Sequence, residues 1–183
     1  MTPSPAPAWH PGEPRADAAS MVRVDQAGEY GATRIYAGQL AVLGDGHPAA
    51  REIRRMAAQE DEHLSTFDRM MAERGIRPTA LQPVWNVAGY WLGAATALMS
   101  PEAAMACTAA VETEIDEHYE EQRRQLGSDD PELSEVIAKF QADEQEHRES
   151  ALAHGAEQAA GYPLLSAAIR AGCRVAIALS KRI

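Results

Sequence analysis

The stretch Gln59-Glu60-Asp61-Glu62-His63-Leu64 decides the fold, and it returns in altered form as Asp143-Glu144-Gln145-Glu146-His147. Residues three apart on an α-helix lie on the same face, one turn above each other. The pairs Glu60 with His63 and Glu144 with His147 can therefore each bind one metal ion. Two such pairs in a chain of 183 residues predict two metal ions.

A single glutamate precedes each pair at a nearly constant distance. Glu29 lies 31 positions before Glu60, and Glu112 lies 32 positions before Glu144, each on an apolar helical stripe. A carboxylate on an apolar stripe is costly unless it is paired or bound to a metal. The candidate metal ligands are therefore six residues: Glu29, Glu60, His63, Glu112, Glu144 and His147.

The two halves of this set repeat at an offset of 83 or 84 residues. One Glu from each of two helices and Glu-x-x-His from each of two others is the ligand set of ferritin-like di-iron or di-manganese bundles. A single Glu-x-x-His motif arises by chance in helices rich in glutamate, whereas the doubled, evenly spaced set is specific. The sequence therefore predicts an all-α fold, a ferritin-like bundle of four antiparallel helices.

The order of apolar stripes, prolines and glycines places these helices along the chain. The stripes predict bundle helices at about 19–43, 48–74, 101–126 and from 131 to about 154. Tyr36 and Tyr119 each lie seven residues after a predicted ligand, and we expect them to form hydrogen bonds near the site. Asp143, directly before Glu144, is a candidate partner for a ligand imidazole, although it could equally be solvated.

The start of the chain has a different composition. Residues 1–18 contain five prolines among small and polar residues, which predicts a disordered proline-rich tail before one ferritin-like di-iron domain at 19–183. The first 20 residues lack the basic and apolar segments of a secretory signal and the Arg-rich pattern of a transit peptide. We expect a protein of a bacterial-type cytoplasm.

Two further segments predict helices outside the bundle. Residues 78–101 carry no charge, and 84–99 are too short and too interrupted for a confident transmembrane helix. A helix in the bilayer interface, anchored by Trp85, Tyr90 and Trp91, and a crossover helix packed on the bundle are both compatible with this pattern. The fold prediction thus includes two additional membrane-facing helices, the second at about 163–180.

Charge is unevenly distributed between these segments. The chain has a net charge of −10, which disfavours nucleic acid as a partner. The last predicted helix nevertheless carries Arg170, Arg174 and Lys181 on one side and is followed by Arg182. This pattern fits contact with an anionic membrane surface, and docking on the acidic bundle is the alternative.

The cysteine pattern excludes several kinds of site. The chain contains Cys107 and Cys173, far apart and without a C-x-x-C motif. This argues against a disulfide framework, a zinc ribbon and a rubredoxin-type iron centre.

Several motifs together resemble a known family. They are Arg23-Val-Asp-Gln-Ala-Gly-Glu29-Tyr-Gly-Ala32, Gln59-Glu-Asp-Glu-His63, Trp85-Asn-Val-Ala-Gly89, Ala106-Cys-Thr-Ala-Ala-Val-Glu112, Asp143-Glu-Gln-Glu-His147 and Ala171-Gly-Cys173. In these segments the chain resembles the demethoxyubiquinone hydroxylases of ubiquinone biosynthesis. The resemblance covers about residues 19–183 and includes motifs that carry no metal ligand.

The resemblance implies a di-iron monooxygenase that uses O2 to hydroxylate the ring of a polyprenylated methoxy-benzoquinol. Glu29, His63, Glu112 and His147 would be terminal ligands of two iron ions, and Glu60 and Glu144 would bridge them. It further implies a peripheral protein on the cytoplasmic face of the bacterial inner membrane, with NADH as a source of electrons. The chain carries no G-x-G-x-x-G dinucleotide motif. A homo-oligomer and contacts with other ubiquinone-biosynthesis proteins are compatible with this role.

Other functions use the same bundle, because one scaffold hosts storage, peroxidase and oxygenase chemistry. A ferritin-like iron storage or ferroxidase protein is the main alternative, and it gives no reason for the uncharged segment or the cationic last helix. A manganese catalase or a rubrerythrin-like peroxidase is a third interpretation, weakened by the missing C-x-x-C.

Overall fold

The computed structural model describes residues 16–182, and within them the chain forms six α-helices, one short 3-10 turn and no strand. Most of the predicted proline-rich tail, residues 1–15, lies outside the described residues. The helices are α1 (Ala18–Leu43), α2 (Pro48–Arg74), α3 (Gln82–Met99), α4 (Pro101–Leu126), α5 (Pro131–Ala153) and α6 (Tyr162–Ser180), with the 3-10 turn at Ala156–Gln158. The predicted all-α fold is confirmed.

Local capping explains where the helices begin. Asp17, Ser100 and Asp130 each accept a hydrogen bond from a backbone N–H in the first turn of the following helix. Such caps satisfy N–H groups that have no partner inside the helix. Because Asp17 caps α1, the helix starts at Ala18, one residue before the predicted domain boundary at residue 19. The cap itself belongs to the segment that was predicted as tail.

The order of apolar layers gives the direction of each bundle helix. One buried layer contains Tyr36, Met56 and Met105, and the other contains Phe67 and Tyr119. The chain passes from the first layer to the second along both α2 and α4, and in the opposite direction along α1 and α5. The helices α2 and α4 therefore run the same way, because α3 crosses between them. This refines the prediction of four simply antiparallel helices.

The crossover helix α3 packs closely against α1 through glycines. A Cβ atom on Gly93 would lie 1.9 Å from the carbonyl oxygen of Ile35, and one on Gly38 would lie 2.0 Å from the carbonyl oxygen of Tyr90. Since only glycine allows backbones this close, these residues let α3 lie directly on the bundle. The inner face of α3 therefore packs on the bundle, as expected for a crossover helix.

The outer faces of α3 and α6 expose large apolar side chains. On α3 these include Trp91 and Leu98, which are 62% and 71% exposed, and on α6 they include Leu164, which is 78% exposed. Of the three aromatics predicted for a membrane interface only Trp91 is exposed, since Trp85 donates a hydrogen bond to Ser180 and Tyr90 is half-buried. The outer face of these two helices is called the apolar face below.

The last helix, α6, is held on the bundle by ion pairs. Arg170 contacts Glu114 and Glu117 of α4, and Arg174 contacts Glu114 at 2.7 Å. Arg170 and Arg174 therefore attach α6 to the bundle, which is the alternative to membrane contact that the sequence left open. Among residues 16–182, α6 is the one helix long and apolar enough to cross a membrane by length and composition, with a mean hydropathy of 1.3.

Candidate metal centre

The structure brings all six predicted ligand residues together between the two apolar layers of the bundle. Glu29 comes from α1 and Glu112 from α4, while α2 and α5 each supply one Glu-x-x-His pair. All six side chains are at most 2% exposed: Glu29, Glu60, His63, Glu112, Glu144 and His147. Four buried carboxylates in one place are unfavourable without compensating positive charge.

The six residues form two overlapping groups whose ligand atoms lie within 4.8 Å of one another. The first group is Glu29, Glu60, His63 and Glu144, and the second is Glu60, Glu112, Glu144 and His147. Glu60 and Glu144 belong to both groups. This sharing is the arrangement that two neighbouring ions bridged by two carboxylates would require.

The donor atoms of the cluster fit metal ions. Six atoms in it are buried and form no hydrogen bond of regular geometry, although His63 Nδ1 lies 3.1 Å from Glu144 and 3.4 Å from Glu29: they are Oε2 of Glu29, both carboxylate oxygens of Glu60, Nδ1 of His63, Oε2 of Glu112 and Oε1 of Glu144. Buried polar atoms without partners are rare in folded proteins and call for an explanation such as an ion. Carboxylate oxygens with imidazole nitrogens suit divalent iron or manganese.

Burial changes the acidity of these carboxyl groups. It raises the pKa of Glu60 and Glu112 well above the ordinary value, and the charge of Glu144 adds to the rise. Burial also raises the pKa of Glu144 to about 7, although a hydrogen bond with His63 opposes it. The pKa of Glu29 is instead lowered, because hydrogen bonds with His63 and Glu60 outweigh the effect of burial.

The pKa values of the two imidazoles also shift, in opposite directions. Burial would lower the pKa of His63, but hydrogen bonds to Glu144 and Glu29 outweigh burial and raise it to about 10. Burial lowers the pKa of His147 below its ordinary value. The metal-free cluster therefore holds protons that bound ions would replace, so metal binding depends on pH.

Metal-free protein should lose stability as the pH rises from about 5 to 8. Folded Glu144, with a pKa of about 7, keeps a proton that the unfolded chain releases near 4.5. Its contribution is complete below that lower value and is lost as the pH passes 7. His63 acts in the same direction above its ordinary value of 6.5, and His147 opposes the trend only below it. We expect the melting temperature to fall by roughly 5–10 °C.

Circular dichroism melts of metal-free protein at several pH values measure this effect. Glu144→Gln cannot release a proton, so its melting temperature should fall less steeply with pH than that of the wild type, while Glu60, Glu112 and His63 still contribute the remaining decline. An equally steep decline in Glu144→Gln would show that Glu144 is not one of the groups responsible.

Three predicted contacts around the cluster are present. Tyr36 donates a hydrogen bond to Glu112 at 2.8 Å, and Tyr119 donates one to Glu29. The Nε2 atom of His63 lies 3.1 Å from the Oδ2 atom of Asp143. The tyrosines fix the two single glutamates, and Asp143 orients one of the two imidazoles.

The corresponding partner of the other imidazole is Gln59, a residue that was not predicted from the sequence. The Nε2 atom of His147 lies 3.1 Å from the Oε1 atom of Gln59, and the same oxygen accepts a hydrogen bond from Arg55. A signal existed in the repeat, because Gln59 precedes Glu60 as Asp143 precedes Glu144. Comparing the two halves position by position would have found it.

Comparison with protein families gives a match over nearly the whole chain. The model of a family described as "Ubiquinone biosynthesis protein COQ7" matches residues 16–180. The match therefore includes all six helices and all six residues of the cluster.

Individual relatives agree with this match. The chain is 51% identical over 175 residues to a protein of Rhodospirillum rubrum named "3-demethoxyubiquinol 3-hydroxylase", covering 94% of this chain and 82% of the relative. It is 50% identical over 173 residues to the Homo sapiens protein named "NADPH-dependent 3-demethoxyubiquinone 3-hydroxylase, mitochondrial", covering 92% and 79%. A Saccharomyces cerevisiae protein named "5-demethoxyubiquinone hydroxylase, mitochondrial" is 41% identical over 179 residues, covering 89% and 77%.

Proposed function

As this chain belongs to the family of the ubiquinone biosynthesis protein COQ7, we propose that it is a di-iron monooxygenase acting on demethoxyubiquinol. The chain is an enzyme of ubiquinone biosynthesis, a hydroxylase with a quinol substrate, because relatives so named share half of its residues. The proposal adds the metal and the oxidant. With two electrons and two protons, one atom of O2 enters the quinol ring as a hydroxyl group and the other leaves as water.

The buried cluster is the observation that carries this proposal. Glu29, His63, Glu112 and His147 would serve as terminal ligands of two iron ions, and Glu60 and Glu144 as bridging ligands. Supporting this assignment, Glu60 and Glu144 each belong to both four-residue groups. Bound ferrous iron would supply electrons that activate O2 for attack on the electron-rich ring.

Residues around the cluster prepare it for this chemistry. The Nδ1 atoms of His63 and His147 face the carboxylates, while their Nε2 atoms lie 3.1 Å from Asp143 and Gln59. With an ion in place of any proton on Nδ1, each imidazole would be neutral and would donate from Nε2 to its partner, which orients the ring. The ring of Phe140, stacked on His63 at 3.9 Å between centroids, helps to exclude water.

An apolar groove beside the cluster fits the proposed substrate. It encloses about 590 Å³ between α1, α3, α4 and α6, with walls that include Trp85, Leu92 and Ile177. Gly28 and Val111, next in sequence to Glu29 and Glu112, also line it. The apolar walls suit a polyprenyl chain, whose ring would then lie beside the cluster.

Electrons for each turnover must come from outside the bundle. We assign a reduced nicotinamide, NADH or NADPH, as the source, and the relative from Homo sapiens is named NADPH-dependent. The quinone ring itself is the proposed relay, since the chain carries no G-x-G-x-x-G motif for a dinucleotide.

The apolar face supports a peripheral location on the cytoplasmic side of the inner membrane. A lipid substrate reaches a buried site most directly from the bilayer. Both α3 and α6 line the groove, and their outer sides expose Trp91 on α3 and Leu164 on α6. Exposed patches of this kind mark contact surfaces. We infer that Lys181 and Arg182, which are exposed and take no part in the ion pairs with α4, contact anionic headgroups.

Replacing Trp91, Leu98 and Leu164 with Ser should release most of the protein from liposomes. The three side chains are more than 60% exposed, so their loss removes apolar contact without opening the core. Cosedimentation with vesicles of anionic phospholipid measures the bound fraction. Glu62, Glu149 and Asp61, each replaced by Ser on the exposed bundle surface, form a control variant that should bind at least as well as the wild type, because it loses only negative charge. Equal binding of the Trp91, Leu98, Leu164 variant would refute the membrane role of this face.

Iron storage remains the function to be tested against. A storage protein has no use for an apolar groove or an exposed apolar face, and both are present here. Extraction of quinones from cells that lack the protein tests the assignment directly. The hydroxylase predicts accumulation of the unhydroxylated methoxy-quinone, whereas storage predicts changed iron content with a normal quinone pool.

A further inference from the structure

Each imidazole of the cluster contacts a partner residue on the helix that carries the other imidazole. Asp143 of α5 contacts His63 of α2, and Gln59 of α2 contacts His147 of α5. Each partner directly precedes the glutamate that both groups share, Glu60 or Glu144. The internal repeat thus supplies both partners, but with different chemistry in its two copies.

The partners differ in charge at the atom that touches the imidazole. Asp143 offers a carboxylate oxygen 3.1 Å from Nε2 of His63. Gln59 offers a neutral amide oxygen at the same distance from His147, and this oxygen also accepts a hydrogen bond from Arg55. Arg55 pairs with Glu52 and Glu146 as well, yet its guanidinium is the group that polarises Gln59.

A carboxylate partner draws the Nε2 proton toward itself and increases electron density at Nδ1, the atom that faces the metal. An amide oxygen already shared with a guanidinium does so much less. We propose that this difference makes the two metal positions unequal, the His63 position binding its ion more tightly than the His147 position. Asp143 and Gln59 act here as positioning residues, and the inference rests on the metal centre of the proposed function.

Titration of metal-free protein with Co(II) alone, followed by visible absorption, tests this inequality. His147→Ala leaves the His63 position intact, and His63→Ala leaves the other. The His147→Ala protein should bind Co(II) at least about tenfold more tightly than the His63→Ala protein does. This difference lies within the 10–100-fold range that hydrogen-bond partners of a ligand contribute to metal affinity. Circular dichroism confirms that each variant is folded.

Changes of the two partners should act on one position each. In the His147→Ala protein, Asp143→Asn should weaken Co(II) binding by roughly 10–100-fold, because it replaces the carboxylate with a neutral isostere. In the His63→Ala protein the same change should have little effect, and Gln59→Glu should strengthen binding. With both histidines present, Asp143→Asn should bring the two stepwise binding constants closer together.

Glu62→Gln is the matched control, because it removes an exposed negative charge next to His63 without touching the imidazole. It should leave both positions unchanged. Equal affinity of the His147→Ala and His63→Ala proteins for Co(II), or an Asp143→Asn effect no larger than that of Glu62→Gln, would overturn the inference. The metal centre itself would still stand if the wild-type protein bound two Co(II) ions. A wild-type protein that binds no Co(II) would refute the metal centre itself, and the inference with it.

Discussion

Glu60→Ala and Glu144→Ala should each yield a folded protein that no longer holds two iron ions as a coupled pair. Both side chains are fully buried and belong to both groups of ligand atoms, so each loss removes a donor from two ions at once. Loss of a terminal ligand such as Glu29 affects one group only. We therefore expect the bound iron to fall from about two ions to one or fewer per chain.

Iron analysis with Mössbauer spectroscopy measures both the content and the magnetic coupling. Glu149→Ala provides the control, since this exposed glutamate lies on the same helix as Glu144. It should retain two coupled ions. Two antiferromagnetically coupled ions in Glu60→Ala or Glu144→Ala would contradict the bridging roles.

His63→Ala should abolish hydroxylation even where the protein folds. Removing the imidazole takes away the one nitrogen donor of its group and leaves Asp143 without its partner. An iron ion at this position would then have a different coordination and a different reduction potential. We expect product formation by iron-loaded protein to fall by roughly 100-fold or more, measured as hydroxylated quinol formed from demethoxyubiquinol and O2 with NADH as the source of two electrons.

The fold was largely predictable because its signals are local. Proline after a capping residue and glycine at a helix end mark α2, α4 and α5 within a few neighbouring positions, and the observed boundaries agree. The Glu-x-x-His spacing likewise places two ligands on one helical face. The structure then brings the six predicted residues together, as the doubled repeat requires.

Contacts between helices were harder to predict, because they depend on how each helix is rotated against its neighbours. The sequence shows that Arg170 and Arg174 are cationic, but it does not show that Glu114 of α4 lies within reach. The groove is a further case, since its walls come from four helices, and two of these, α1 and α3, pack closely at Gly38 and Gly93. Neither feature has a local signature.

The quinone content of a deletion strain shows directly whether this protein hydroxylates demethoxyubiquinol. Lipid extracts from the deletion strain, and from the same strain carrying wild type, His63→Ala or Glu62→Gln, are compared by mass spectrometry. We expect the unhydroxylated methoxy-quinone and little ubiquinone in the deletion and His63→Ala strains, and normal ubiquinone with wild type or Glu62→Gln. A normal ubiquinone content in the deletion strain, where no second hydroxylase is encoded, would contradict this expectation.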